Sequence, residues 1–238
     1  MNDKLLSARL MNLNNVAVTG TLVVMIAIIA TTISGCATPK RNLDSAMGSL
    51  NVPVSFVDAR GDAIPAGDRP GRWAAMLGAV PGEIFGNPHY PPKRTEGLGN
   101  AATVPINLSA LRAELDQQAA TISVAAAKAG WRIDPGDTRF ARLATAITTD
   151  KSQLFGVGFM DSVSKNRLLL VFFDRPCRLT GTVVTPENGT TTYSIDVVIE
   201  NAGLHWLQIA TKGSESHLTN AELQLSHLFF IAVPFGPP

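Results

Sequence analysis

Thr191-Thr192-Tyr193-Ser194-Ile195-Asp196-Val197-Val198-Ile199-Glu200 is the stretch that decides the fold. Tyr193, Ile195, Val197 and Ile199 fall on one side of an extended chain, opposite Ser194, Asp196 and Glu200, which is the period of two of a strand with one buried face. Just upstream, Pro186-Glu187-Asn188-Gly189 centres a turn on Asn-Gly, so Leu179–Thr185 is predicted to be the partner strand of a hairpin. Asn201-Ala202-Gly203 turns the chain again into Leu204–Ala210. Further upstream, Leu154–Met160 and Arg167–Phe173 are β-rich runs joined across Ser164-Lys165-Asn166. The last strand is expected to place Leu223, Leu225, His227, Phe229, Ile231 and Val233 on one side. Short strands with no helical signal between them predict an antiparallel, β-sandwich-like part over 151–238.

The preceding hundred residues read differently. Val52–Val57 is expected to open the folded body, and Arg72–Val80 (RWAAMLGAV) to form a short helix after Pro70-Gly71. From Pro81 to Pro105 five prolines and four glycines forbid a long helix or a central strand, and predict a long loop. Its bland reading is a surface excursion packed by Phe85 and Tyr90. Its His89-Tyr90-Pro91-Pro92 stretch, pre-extended like polyproline, is the candidate partner contact. Ser109 is expected to cap a helix running to about Ala129, with Gly130 as its stop and Leu108, Leu111, Leu115, Ile122 and Ala126 or Ala129 on its apolar stripe. Asp134-Pro135-Gly136-Asp137 then turns the chain, and Thr138 to about Ile147 is expected to be a second short helix. The expected fold class is α+β, a single domain over 51–238 with one long packed helix (about 109–129).

Composition narrows the function classes. The chain has 238 residues, 45% hydrophobic and 16% charged, with 20 Lys+Arg against 19 Asp+Glu. That balance offers no surplus of positive charge for phosphate, so nucleic acid is not an expected partner. The apolar content excludes a disordered chain, and two cysteines cannot build a disulfide scaffold.

No charged side chain lies between Arg9 and Lys40, and Leu22–Ala30 is wholly apolar. With Lys4 and Arg9 ahead of it and small residues behind, this run has the length of a signal-peptide core rather than the roughly 20 residues of a spanning helix. The alternative, an uncleaved helix from about Val16 to Ile33, is diluted by Thr19, Gly20, Thr21, Thr31 and Thr32. The segment ends in Ile33-Ser34-Gly35-Cys36, which resembles the lipobox of bacterial lipoproteins. The resemblance implies a signal peptide over 1–35, cleavage between Gly35 and Cys36, and acylation of Cys36 by fatty chains such as palmitate. Residues 36–50 then read as a flexible tether, and the membrane becomes a partner through the acylated cysteine. Ala37, in place of the aspartate associated with inner-membrane retention, implies sorting to the periplasmic face of the outer membrane. Removing residues 1–35 leaves 18 basic and 18 acidic residues.

Nothing in the sequence points clearly to catalysis. No G-x-S-x-G elbow or phosphate loop occurs. Gly213-Ser214-Glu215-Ser216-His217 reads as a polar turn rather than part of a triad. Cys177 lies between Arg175 and Arg178, which would lower its pKa; burial at a strand start is the other reading, and the preferred one. His89, His205, His217 and His227 lack metal-pair spacing, so neither metal nor cofactor is expected. The expected function is therefore a non-enzymatic interaction or assembly module with an envelope protein partner. The alternatives are a small-ligand, glycan or peptidoglycan-binding module using Tyr193, Trp206 and Phe172, and an envelope hydrolase joining Cys177 or Ser216 to His205 or His217.

Overall fold

The strand read from Tyr193 to Ile199 is present and is one of thirteen in a single mixed sheet among the described residues. The structure is a computed structural model that describes residues 48–58, 62–65, 68–69, 73–85, 93–94, 103–149, 154–185 and 191–234, all within one unit, Lys40–Pro238. The first half contributes β1 (Ser49–Phe56), β2 (Trp73–Pro81), β3 (Lys93–Arg94), β4 (Thr103–Asn107), α1 (Leu108–Gln118), α2 (Val124–Lys128), β5 (Trp131–Asp134) and β6 (Phe140–Thr149). The second half contributes β7 (Leu154–Asp161), β8 (Arg167–Phe173), β9 (Cys177–Thr185), β10 (Thr191–Ile199), β11 (Gly203–Lys212), β12 (Glu215–Asn220), a 3-10 turn (Leu225–His227) and β13 (Leu228–Pro234). The strand order is β4-β1-β13-β7-β6-β8-β11-β12-β10-β9-β5, with β2 on the far edge of β6 and β3 on β2. Most neighbours are antiparallel, but β1 runs parallel to β13 and β10 parallel to β12.

The hairpin β7–β8 organises the sheet. It is paired only beside its turn, at Phe159↔Leu168 and Met160↔Arg167. Its legs then part, and β6 bridges them: Phe140–Arg142 pairs with Val171–Phe173, while Ala146–Thr148 pairs with Leu154–Gly156. One sheet therefore bends into two lobes that share β6 and β8, and β8 is buried on both faces. Leu168, Leu170 and Phe172 enter a first core with β1, β2, β4, β7, β13 and α1. Leu169, Val171 and Phe173 enter a second with β5, β9, β10, β11 and β12. Around the second core the sheet curls until Trp131 of β5 meets Phe140 of β6, ring centroids 5.8 Å apart. A strand buried on both faces reads as a continuous apolar run, and Leu168–Phe173 is one.

Several expectations change. Arg72–Val80 and Thr138–Ile147 are not helices; they form β2 and β6, paired with each other from Trp73↔Thr149 to Pro81↔Ala141. Their alanine-rich sequences favour helix locally, and the long-range pairing overrides that preference. The helix expected over 109–129 is two helices. Asn107, not Ser109, caps α1 through its side-chain oxygen on the Ala110 N–H at 3.0 Å. The guanidinium of Arg139 closes the other end, donating to the carbonyls of Asp116 at 2.9 Å and Ala119 at 3.1 Å. Ala120 then bridges Phe140 of β6, and Ser123 starts α2. Leu108, Leu111 and Leu115 of the expected stripe are buried on the first core, whereas Ile122 and Ala126 pack on the second.

The region 81–105 is interrupted by β3 and β4. Pro105 is tolerated because β4 lies at the sheet edge, paired on one side to β1. The phase of the last strand is opposite to expectation. Leu228, Phe230 and Ala232 are buried, while Leu225 and Val233 are exposed and His227 belongs to the 3-10 turn. The body remains largely β with one substantial packed helix, α1. Among the described residues no helix is long and apolar enough to cross a membrane.

Candidate functional site

Gly35, Cys36, His89, Tyr90, Pro91 and Pro92 lie outside the described residues. Cys177, Tyr193, His205, Ser216 and His217 sit in the second lobe, where sheet alternation fixes which face each occupies, whereas Phe172 and Trp206 belong to the first core.

Cys177 begins β9 opposite Ile199 and is buried. Burial, and secondarily the nearby Asp174 carboxylate, push its thiol up to about 12. The flanking cations do not activate it, since both are held by carboxylates. Arg175 donates to Asp137 at 2.7 Å and to Asp174 at 3.3 Å, and Arg178 donates to Asp196 at 3.0 Å. The geometry thus favours the burial reading, and the thiol is a packing group rather than a nucleophile.

Ser216 and His217 are adjacent in β12 and therefore point to opposite faces. Ser216 is buried and its hydroxyl meets that of Thr211 at 2.9 Å. His217 is exposed, and its Nδ1 meets the Ser194 hydroxyl across the parallel β10–β12 pair. His205 bonds through Nε2 to the Asn201 carbonyl at 2.8 Å and meets Phe173 edge-on. In register His205 lies opposite Val171, while His217 lies opposite Ala210 five residues along β11. Cys177 pairs with Ile199 and Ser194 with Thr182, so the thiol is likewise five residues along its ladder from the Ser194–His217 pair. The sheet joins neither Cys177 nor Ser216 to His205 or His217; the hydroxyl that meets His217 is that of Ser194. Trp206 and Tyr193 are also separated: Trp206 stacks edge-on to Phe159 in the first core, and Tyr193 packs on Phe85 beside the second. The Trp206 indole N–H is buried with no hydrogen-bond partner among the described residues. Among the described residues no three His, Cys, Asp or Glu side chains gather as a metal site.

What the second lobe does present is an outward sheet face built from β5, β9, β10 and β12. Thr180, Thr182, Ser194 and Thr219 line its middle, with the Arg178–Asp196 pair and an Arg132 contact to Thr180 at 3.4 Å toward one end. Asn220 extends the β10–β12 ladder: its side chain accepts from the Val198 N–H at 3.0 Å and donates to the Val198 carbonyl at 2.9 Å. This satisfies backbone groups that a longer strand would otherwise pair. Val184 and Val198 stand exposed on this face.

Three features were not anticipated. The strands β5 and β12 are absent from the sequence reading, although the Ser216-His217-Leu218 alternation signals β12. Arg142 of β6 is almost fully buried beside the seam where β6 leaves β8. Burial first, and then the nearby Arg167, lower its pKa to about 10, against the opposing pull of Glu83. An arginine in an apolar run gives no sequence signal of that burial. Compared with protein-family models, curated proteins and solved structures, the chain matches none.

Proposed function

We propose that the chain is a lipid-anchored envelope lipoprotein whose β-rich body is a non-enzymatic interaction or assembly module on the periplasmic face of the outer membrane. The observation that carries this reading is Ile33-Ser34-Gly35-Cys36 directly after a charged start and an apolar run, with only residues 37–48 between the cysteine and β1. Twelve residues reach about 40 Å when extended, enough to hold a body close to a bilayer. The reading is also supported by how the reactive residue types are used. The Cys177 thiol is packed away, and Ser216 and His217 diverge across β12. The Thr- and Ser-lined outward face and the His89–Pro92 stretch are the surfaces assigned to a protein partner.

The test is photo-crosslinking in intact cells, with a photoreactive residue at Tyr90 and, separately, at Thr182. One reproducible envelope protein captured from either position supports the module. A monomer with no recurring neighbour at either position contradicts it.

A further inference from the structure

The strand register places the point where the anchor-bearing chain enters the body. β1 runs parallel to β13 with Val54 opposite Phe230, so the start of β1 lies toward the end of the sheet where β13 begins. β13 is antiparallel to β7 with Leu228 opposite Asp161, which puts the Ser162–Asn166 turn at the same end. The Ser162 N–H donates to the His227 carbonyl at 2.8 Å, joining that turn to the 3-10 turn carrying Leu225. β11 continues past its pairing with Arg167 to Lys212 at this end as well.

Val163 at the turn tip is 68% exposed and Leu225 41% exposed. Lys165, Arg167 and Lys212 are exposed around them. The exposed acidic neighbours are Glu215 and, three residues before Leu225, Glu222, while the Asp161 carboxylate is turned into its own loop by Val163 N–H, Ser164 N–H and Ser164 hydroxyl donors. Apolar tips ringed by cations fit a bilayer interface, where aliphatic groups enter the acyl boundary and Lys or Arg meet anionic headgroups.

Resting on the lipid-anchor reading above, we infer that the Ser162–Asn166 turn and Leu225 form a membrane-contacting end of the body, with Val163 and Leu225 seated in the bilayer interface. The body is then held end-on, and the opposite end, bearing Val198, faces away from the lipid.

The experiment uses the full chain purified from bacterial membranes and returned to vesicles of phosphatidylethanolamine and phosphatidylglycerol with brominated acyl chains. Val163→Cys, Leu225→Cys and Val198→Cys each receive an environment-sensitive fluorophore, while Cys177 stays shielded by burial. The probes at 163 and 225 are expected to be quenched about twofold or more relative to the probe at 198. Quenching at 163 and 225 no greater than at 198, in protein that floats with the vesicles and carries acyl mass, overturns the inference and leaves the anchor standing. Protein that neither floats nor carries acyl mass overturns the anchor, and this inference with it.

Discussion

The Thr145 hydroxyl donates to the Val157 carbonyl at 2.7 Å, where the β6–β7 ladder has just ended at Ala146↔Gly156. A side chain thus takes over from the backbone at the point where the sheet divides. Thr145→Val keeps shape and removes the donor, so it should cost about 1–2 kcal/mol in urea unfolding, and Thr145→Ser much less. Equal stability of the valine variant would show that the divided sheet does not depend on this bond.

Gly181 and Gly213 both have positive φ, at 138° and 64°, but differ in surroundings. A Cβ at Gly181 would lie 2.5 Å from the Gly130 carbonyl oxygen and 2.6 Å from the Trp131 Cα, whereas Gly213 has open space. Gly213→Ala should cost about 1 kcal/mol from backbone strain alone, and Gly181→Ala about 2–4 kcal/mol because β5 must also move. Thermal unfolding, with Trp131 emission as a reporter of β5, separates the two costs. Equal losses would mean that β5 does not press on β9 as described.

Cys177 gives an alkaline prediction. Its folded pKa is raised toward about 12, so its contribution to stability is complete below the ordinary thiol pKa and is lost as pH rises between there and about 12. Cys177→Ala should flatten that alkaline decline. In the native protein the thiol should resist a thiol-reactive disulfide near pH 8 and react only on unfolding. Rapid native labelling would contradict its burial.

Asp161 gives the opposite sign. The Ser164 hydroxyl first, then the Val163 N–H, hold its carboxyl below the usual carboxylate range. Stability from this group is present above its unfolded pKa and lost as pH falls through the lower folded value. Asp161→Asn should therefore reduce the slope of acid unfolding and loosen the Ser162–Asn166 turn, seen as faster amide exchange at Val163 and Ser164. An unchanged acid limb with unchanged exchange would remove the turn's dependence on this carboxylate.

The sequence was most legible where one face is wet. Tyr193 to Ile199, Leu204 to Ala210 and the Ser164-Lys165-Asn166 turn all lie where read, because alternation and turn chemistry are local signals. It was least legible where burial is two-sided or long-range. In β2 and β6, Ala74, Ala75, Ala79, Ala141, Ala144 and Ala146 carry no strand preference, and only their mutual pairing makes them strands. The break after α1 depends on Arg139, twenty residues beyond Ala119. The phase of β13 reversed because Leu223 and Leu225 were counted into a strand that begins at Leu228. At the candidate surfaces, the engagement of Arg175 and Arg178 by carboxylates could not be read from residues 38 and 18 positions away.

The central claim is that one cysteine near the start fixes the protein to a membrane. The most direct measurement is the intact mass of the amino-terminal peptide from protein extracted from cell membranes, alongside fractionation of Cys36→Ala. A lipid-anchored protein begins at Cys36 with added fatty-acyl mass, and the variant is lost from the membrane fraction. A chain retaining residues before Cys36 and carrying no acyl mass would contradict that claim.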